Sequence, residues 1–304
     1  MTTSSQRVLI VSASAGAGHV RAADALLQEF QHHPAIVNGG QVQHWDLLNY
    51  TTKTFRQLYT KGYLGLINKT PTLFGLLYAQ TNAPWKNEKV RLAFEKSNAK
   101  PFLRALHQYQ PDLVVCTHFT PGFLLSDLFA QGTISHKPAI VITDLDVHAT
   151  WLARHYQHYF VSIPESQIYL QRLGIDPAKI TVSGIPIDPV FRLPKDQLQM
   201  RTQFSLDPQR FTILVSGGGF GVGPIDQLIE ELLALKVPAQ VVAIAGKSET
   251  LKSRLDVRAA AQTTADPVRL IPVGFTRQMD EYMAAADILI SKPGGLTTSE
   301  AMAR

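Results

Sequence analysis

A chain of 304 residues, 45% of them hydrophobic, can bury more than one core and is too apolar to stay disordered. Its one cysteine, Cys116, excludes a disulfide framework and any multi-cysteine metal site, and suits a reducing compartment. The net charge of +5 is uneven: between Tyr50 and Gln110 ten lysines and arginines meet two acids, so that segment carries +8 and the remainder −3, and the basicity needs a local explanation.

The N-terminal apolar run, Val8 to Val11, is too short for a secretion signal. No stretch reaches the ~18 apolar residues of a membrane-spanning helix. The expectation is a cytosolic protein, or one that sits on a membrane from its cytosolic side.

Apolar, β-branched runs recur along the chain with helical segments between them. They are Val8 to Ser12, Gln41 to Trp45, Leu113 to Thr117, Ala139 to Thr143, Tyr159 to Ser162 and Ile180 to Ser183, then Thr212 to Ser216, Gln240 to Ala245, Arg269 to Val273 and Asp287 to Ser291. This alternation predicts parallel sheets covered by helices on both faces. Ten strands are too many for one compact sheet, and Gly184 to Pro194, with three prolines, reads as a linker. Two doubly wound α/β domains are expected, residues 1–190 and 195–304, facing a cleft. Ligands should then bind in the loops beyond the carboxyl ends of the strands.

The first such loop, from Ser12 to Ala17, leads through Gly16 and Gly18 into a helix whose apolar face includes Ala22, Leu26 and Phe30. It is a poor dinucleotide fingerprint, because Arg21 stands where a third glycine belongs. His19, at the helix start, is placed to exchange a proton; a plain polar helix-start residue is the alternative. After the fourth strand come Asp144, Asp146 and His148. The two aspartates invite a divalent-cation reading, but Asp144 and His148 read better as cleft-lining polar groups, with a strand-end carboxylate capping nearby backbone amides as the alternative.

In the second half, Ser216 to Pro224 holds five glycines between a strand and a helix. Bare amides at a positive helix end suit a phosphate, and no Gly-Lys-Ser/Thr closes a Walker loop. Gly246 to Glu249 adds a charge near the same edge, and Gly274, Phe275 and Thr276 could lie along a planar base. The last strand leads into Lys292 to Glu300, a second glycine turn and helix start. Glu300 follows Thr297 by one helical turn, so it either faces a ribose diol or closes a capping box with Thr297.

Taken in order, SASAGAGHVRAA, VCTHFTPGFLLSDL, VITDLDVHATW, YFVSIPESQIYLQRLGI, LVSGGGFG and VGFTRQMDEYMAAADILISKPGGLTTSEAMA resemble the monogalactosyldiacylglycerol synthases and bacterial diacylglycerol glucosyltransferases, relatives of the lipid-II-forming N-acetylglucosaminyltransferase. The match runs through nearly the whole chain. It implies a GT-B fold of two Rossmann-like domains and inverting, metal-independent transfer of glucose or galactose from a UDP-sugar to diacylglycerol, with no cofactor. By the same resemblance His19 is the base toward the acceptor hydroxyl, with Gly18, His118, Asp144 and His148 on the acceptor side. Gly218 and Gly219 would face the diphosphate, Phe275 the uracil, Gly295 and Thr297 the phosphates, and Glu300 the ribose.

The basic segment 50–110, where aromatics such as Phe55, Tyr59, Tyr63, Phe74 and Trp85 alternate with lysine and arginine, is expected to lie on an anionic membrane surface at the cytoplasmic face. Nucleic acid is a poor partner, since the rest of the chain is acidic. Relatives extend past the closing helix, so the second domain is expected to be incomplete and weak in donor binding. The rival readings are a UDP-sugar epimerase of the same architecture, a membrane-associated nucleotide binder without turnover, and a Rossmann dehydrogenase.

Overall fold

The computed structural model describes residues 6–57, 75, 80–85, 88–218 and 224–304. Ten strands form two parallel sheets. In the first, β1 (Arg7–Ser12), β2 (Gln41–Asp46), β3 (Leu113–Cys116), β4 (Ala139–Val141), β5 (His158–Val161) and β6 (Ile180–Val182) stand in the order β2-β1-β3-β4-β5-β6. In the second, β7 (Phe211–Ser216), β8 (Ala239–Ile244), β9 (Val268–Val273) and β10 (Ile288–Ser291) stand in the order β10-β7-β8-β9. Each strand coincides with one of the apolar runs to within two residues at either end. β-Branched residues read as strand here because helices cover both faces of each sheet, and both faces must then be apolar.

The helices that matter below are α1 (Ala17–His32), α2 (Glu88–Asn98), α3 (Lys100–Tyr109), α4 (Phe119–Ala130), α5 (Pro164–Arg172), α6 (Gln197–Gln203), α7 (Ile225–Leu233), α8 (Glu249–Ala260), α9 (Met279–Ala285) and α10 (Gly295–Ala303). The chain divides into two compact units, Met1–Asp188 and Pro189–Arg304. The first unit buries Leu9, Val11, Leu47, Leu48, Phe102, Val114 and Leu124 on one side of its sheet. Ile10, Ala23, Val115 and Val141 lie on the other. The second unit packs Ile213, Val215, Val241, Ala243 and Leu270 against Ile229, Leu251 and Leu255 from α7 and α8.

Strand order fixes where ligands can go. In the first sheet the chain leaves β1 for β2 on one side and returns to β3 on the other, so β1 and β3 flank a switch point. In the second sheet β7 and β10 do the same. Helices that leave neighbouring strands for opposite faces open a crevice beyond the strand ends at that point.

Of the basic segment 50–110, residues 58–74, 76–79 and 86–87 lie outside the described residues, as does Gly219. Of the aromatics expected on the membrane surface, Phe55 and Trp85 are among the described residues. Phe55, expected at a membrane surface, is instead buried with Leu47, Leu48 and Phe102 in the core. Trp85 is half-buried, with the Arg154 guanidinium 4.7 Å from its ring centroid. Among the described residues no helix is long and apolar enough to cross a membrane. Cys116 is buried, and burial pushes its thiol pKa up, which makes it an inert part of the core.

Among the described residues of the second unit, Arg201 is a buried cation. The Arg201 side chain on α6 donates to the carbonyls of Ala285 (2.9 Å) and Pro208 (2.9 Å) and to Asp287 Oδ2 (2.7 Å). The same Asp287 oxygen accepts from the Thr212 amide at the start of β7. One guanidinium thus ties α6, α9 and the approach to β10 together. Arg201→Leu is expected to destabilise this unit by about 3 kcal/mol in denaturant unfolding; a loss below about 0.5 kcal/mol would show that the tie is not needed.

Candidate active site

At the first switch point β1 ends at Ser12, and the chain turns through Gly16, the extended N-cap of α1, whose N-terminus has no side-chain cap. His19 therefore lies in the first turn of α1. Its backbone carbonyl accepts from Thr117 Oγ1 (2.9 Å), just past β3, and its Nδ1 lies 2.7 Å from Thr143 Oγ1, just past β4.

The direction of that second bond follows from counting protons. The Thr143 hydroxyl has a single hydrogen, which it donates to the Thr117 carbonyl (3.3 Å). In that arrangement it accepts from His19, Nδ1 carries the imidazole proton and Nε2 is the basic nitrogen. The ring meets His118 edge-on, with centroids 4.5 Å apart, and has Trp151 at 6.1 Å. Burial holds the His19 pKa below the ordinary imidazole value; the Asp144 carboxylate and a hydrogen bond to the Thr117 backbone oppose the shift.

The other acceptor-side residues have structural duties. His118 is buried and caps α4, its Nδ1 accepting from the Thr120 amide (3.0 Å). His148 is buried and caps a 3₁₀ turn, Ala149–Trp151, accepting from the Thr150 amide (3.2 Å). Asp144 accepts from Trp151 Nε1 (2.7 Å), which fixes the indole beside His19 and keeps a negative charge near the imidazole. His19, His118, Asp144 and Trp151 are therefore one cluster, Gly18 precedes His19 in the first turn of α1, and His148 supports the turn that carries Trp151. Among the described residues no group of three or more His, Cys, Asp or Glu side chains is arranged to hold a metal ion.

At the second switch point Ser216 closes β7, and its hydroxyl accepts from the Gly218 amide (3.2 Å). Gly218 has φ +73°, and a Cβ there would stand 3.1 Å from Lys292 Cε, so the lysine stem lies across a bare glycine. Lys292 follows β10, and among the described residues its ammonium has no ion-pair partner. From it the chain turns through Gly294, the N-cap of α10, again with no side-chain cap. The first amides of α10 thus face the same corner as Gly218 and Lys292.

Thr297 is the third residue of α10 rather than its cap, so the Thr297 to Glu300 spacing is not a capping box. Glu300 is 1% exposed and sits beneath the turn, with Gly295 and Thr297 half-exposed above it. Phe275, beyond β9, is 56% exposed, and Lys247 Nζ lies 5.5 Å from its ring centroid. Thr117, Thr143 and Trp151 had no role in the site as read from sequence, since contacts across the sheet leave no local signal, and Lys292 entered only as the start of the second glycine turn.

Two parallel Rossmann-like units with glycine turns at both switch points form the two-domain α/β fold of many glycosyltransferases, which sugar-nucleotide epimerases share. Residues 19–187 match the family model of monogalactosyldiacylglycerol (MGDG) synthase, and residues 212–304 that of the glycosyltransferase family 28 C-terminal domain. The processive diacylglycerol beta-glucosyltransferase of Staphylococcus aureus (strain Newman) is 31% identical over 306 aligned residues, covering 100% of this chain and 75% of the relative. The chain belongs to the MGDG synthase family. Among solved structures, MurG of Acinetobacter baumannii superposes with a TM-score of 0.58 at 17% identity, covering 98% of this chain and 76% of that one. Anabaena HepE, solved in complex with UDP and glucose, gives 0.52 at 13% identity, covering 98% of this chain and 78% of that one. At such identities the likeness is one of fold.

Two outcomes follow from the geometry. Asp144→Asn removes the charge that favours the imidazolium, so the His19 midpoint in an NMR titration should fall further below the ordinary value; a rise would show that the carboxylate acts otherwise. Gly218→Ala meets both a left-handed backbone and the Lys292 stem. It should destabilise the second unit by about 1–2 kcal/mol in thermal unfolding, and an unchanged midpoint would show that the turn tolerates a Cβ.

Proposed function

We propose that the chain moves a hexose from a UDP-sugar to diacylglycerol, forming a β-glycosyldiacylglycerol with inversion at the anomeric carbon. The observation that carries this reading is the 2.7 Å contact of His19 Nδ1 with Thr143 Oγ1 at the switch point of the first sheet, which engages Nδ1 and leaves Nε2 as the nitrogen for the acceptor's proton.

The glycerol hydroxyl attacks the anomeric carbon from the face opposite the diphosphate. As the new C–O bond forms, the hydroxyl proton passes to His19 Nε2. Burial holds the His19 pKa below the ordinary imidazole value, which favours the neutral ring that can take the proton, and such assistance contributes on the order of 10²–10⁴-fold. The aromatic and imidazole edges of His118, Phe119 and Trp151 keep the surroundings dry, which strengthens the pull of Nε2 on the proton.

On the donor side the C–O bond to UDP breaks and negative charge grows on the β-phosphate. The Gly218 amide, the uncapped start of α10 at Gly295 and Thr297, and the Lys292 ammonium would take up that charge. Gly219, outside the described residues, belongs to the same turn by sequence. Phe275 would stack on the uracil. Glu300, buried below the turn, would accept from the ribose hydroxyls after a small adjustment of α10. The fixed orientation of amides and lysine supplies electrostatic stabilisation without rearrangement at the moment of bond breaking.

The basic segment 50–110 would hold the protein on the cytoplasmic face of an anionic membrane, each lysine or arginine near the surface contributing about 1 kcal/mol. Retention on anionic vesicles at low salt, lost at high salt, is the expected result; salt-independent retention would point to apolar insertion instead.

The central experiment is incubation with radiolabelled UDP-glucose or UDP-galactose and diacylglycerol vesicles. Labelled glycolipid should form, and His19→Ala should lower its rate by about 10²-fold or more. A full rate in that variant would remove His19 from the mechanism. Lys292→Ala should weaken UDP binding in calorimetry by about tenfold; an unchanged affinity would place the diphosphate elsewhere.

A further inference from the structure

Behind His19 three side chains form a hydrogen-bonded chain that proton transfer does not use. Ser12 Oγ lies 2.7 Å from His44 Nε2, and His44 Nδ1 lies 2.8 Å from Asp24 Oδ1. The three residues come from three elements: Ser12 ends β1, His44 is on β2, and Asp24 is on α1, five residues past His19. A carboxylate oxygen accepts the Nδ1 hydrogen, so Nε2 accepts the Ser12 hydroxyl hydrogen. The order Ser, His, Asp is that of a hydrolase nucleophile. Here Ser12 is 0% exposed, so no substrate carbonyl can reach its oxygen. The chain holds parts together rather than attacking.

What it holds is the turn that presents His19. Two residues beyond His44 on β2, Asp46 Oδ1 accepts from the Ser14 amide (3.1 Å) and from the Leu48 amide (3.1 Å). β2 thus grips the glycine turn at Ser12 and at Ser14, while Asp24 fastens α1 back onto the same strand. The opposite flank of the turn is held by Thr117 and Thr143. His19 is the residue between the two anchors.

We propose that Ser12, His44 and Asp24, with Asp46, are positioning residues for the transfer reaction. They fix the entry to the glycine turn and the first turns of α1, and so fix where His19 Nε2 stands. The proposal rests on the reading of His19 as the base.

The test separates the two ideas. In His44→Ala the His19 imidazole should gain water, and its NMR titration midpoint should move up toward the ordinary imidazole value. His44→Gln, whose amide reaches the Ser12 hydroxyl, should restore the native midpoint. In vesicle assays His44→Ala should lower kcat by about ten- to a hundredfold, with the KM for UDP-sugar unchanged because the donor groups belong to the other unit. Should His44→Ala fail to fold, Asp24→Ala, on the half-exposed end of the chain, should give the same direction of change with a smaller drop in kcat. An unchanged His19 midpoint and kcat in the folded variant would overturn the proposal, as would a donor KM that rises in step. His19→Gln serves as the control. If it is inactive while His44→Ala turns over normally, only the positioning role falls; if it keeps its full rate, the reading of His19 falls as well.

Discussion

The site depends on the hydrogen bond from His19 Nδ1 to the Thr143 hydroxyl. Imidazole has two nitrogens, and only one can be the base in the neutral ring. Thr143 decides which one, because its own hydrogen is committed to the Thr117 carbonyl. The three residues follow β1, β3 and β4, so a chemical assignment on one side chain is enforced by parallel pairing across the centre of the sheet. Asp144, one residue on from Thr143, adds the opposing electrostatic influence. Its charge limits how far burial can depress the imidazole, and its bond to Trp151 sets the ring that walls the site.

The two units repeat one solution with different contents. Each places a glycine turn at the point where its sheet reverses direction, and each leaves the start of a helix without a side-chain cap. In the first unit the turn delivers an imidazole. In the second, Gly218 adopts a left-handed conformation so that a lysine stem can cross it. A bare helix start attracts negative charge in both settings. Next to His19 it disfavours the imidazolium and so helps to keep the base neutral. Next to Lys292 it adds to the positive field that a diphosphate would meet.

Much of this was legible in the sequence because it is periodic or local. The ten strands announced themselves as β-branched runs, and the glycine turns as clusters between strand and helix. The division of labour among the polar residues was not legible. Thr143 lies 124 residues from His19, and nothing near either residue signals their contact. In sequence His118 and His148 read only as acceptor-side polar groups, and each spends its Nδ1 on a backbone amide two residues ahead. Thr297 and Glu300 have the spacing of a capping box, yet the helix begins earlier, at Gly295 with Gly294 as its N-cap, because glycine pairs allow the turn to close sooner. Phe55 misled through its neighbourhood: it sits in a basic, aromatic stretch, and the core beside Leu47 and Phe102 claims it. Ser12, His44 and Asp24 went unread for the same reason as Thr143, since three elements must fold together before they meet.

The most direct measurement is the protonation state of the two His19 ring nitrogens, read from long-range proton–nitrogen correlations in isotopically labelled protein above the midpoint of its titration. The account predicts a protonated Nδ1 and a bare Nε2, and it predicts that Thr143→Val mixes the two forms. A native protein with the proton on Nε2 would contradict it, because the nitrogen assigned to receive the acceptor's proton would already hold one.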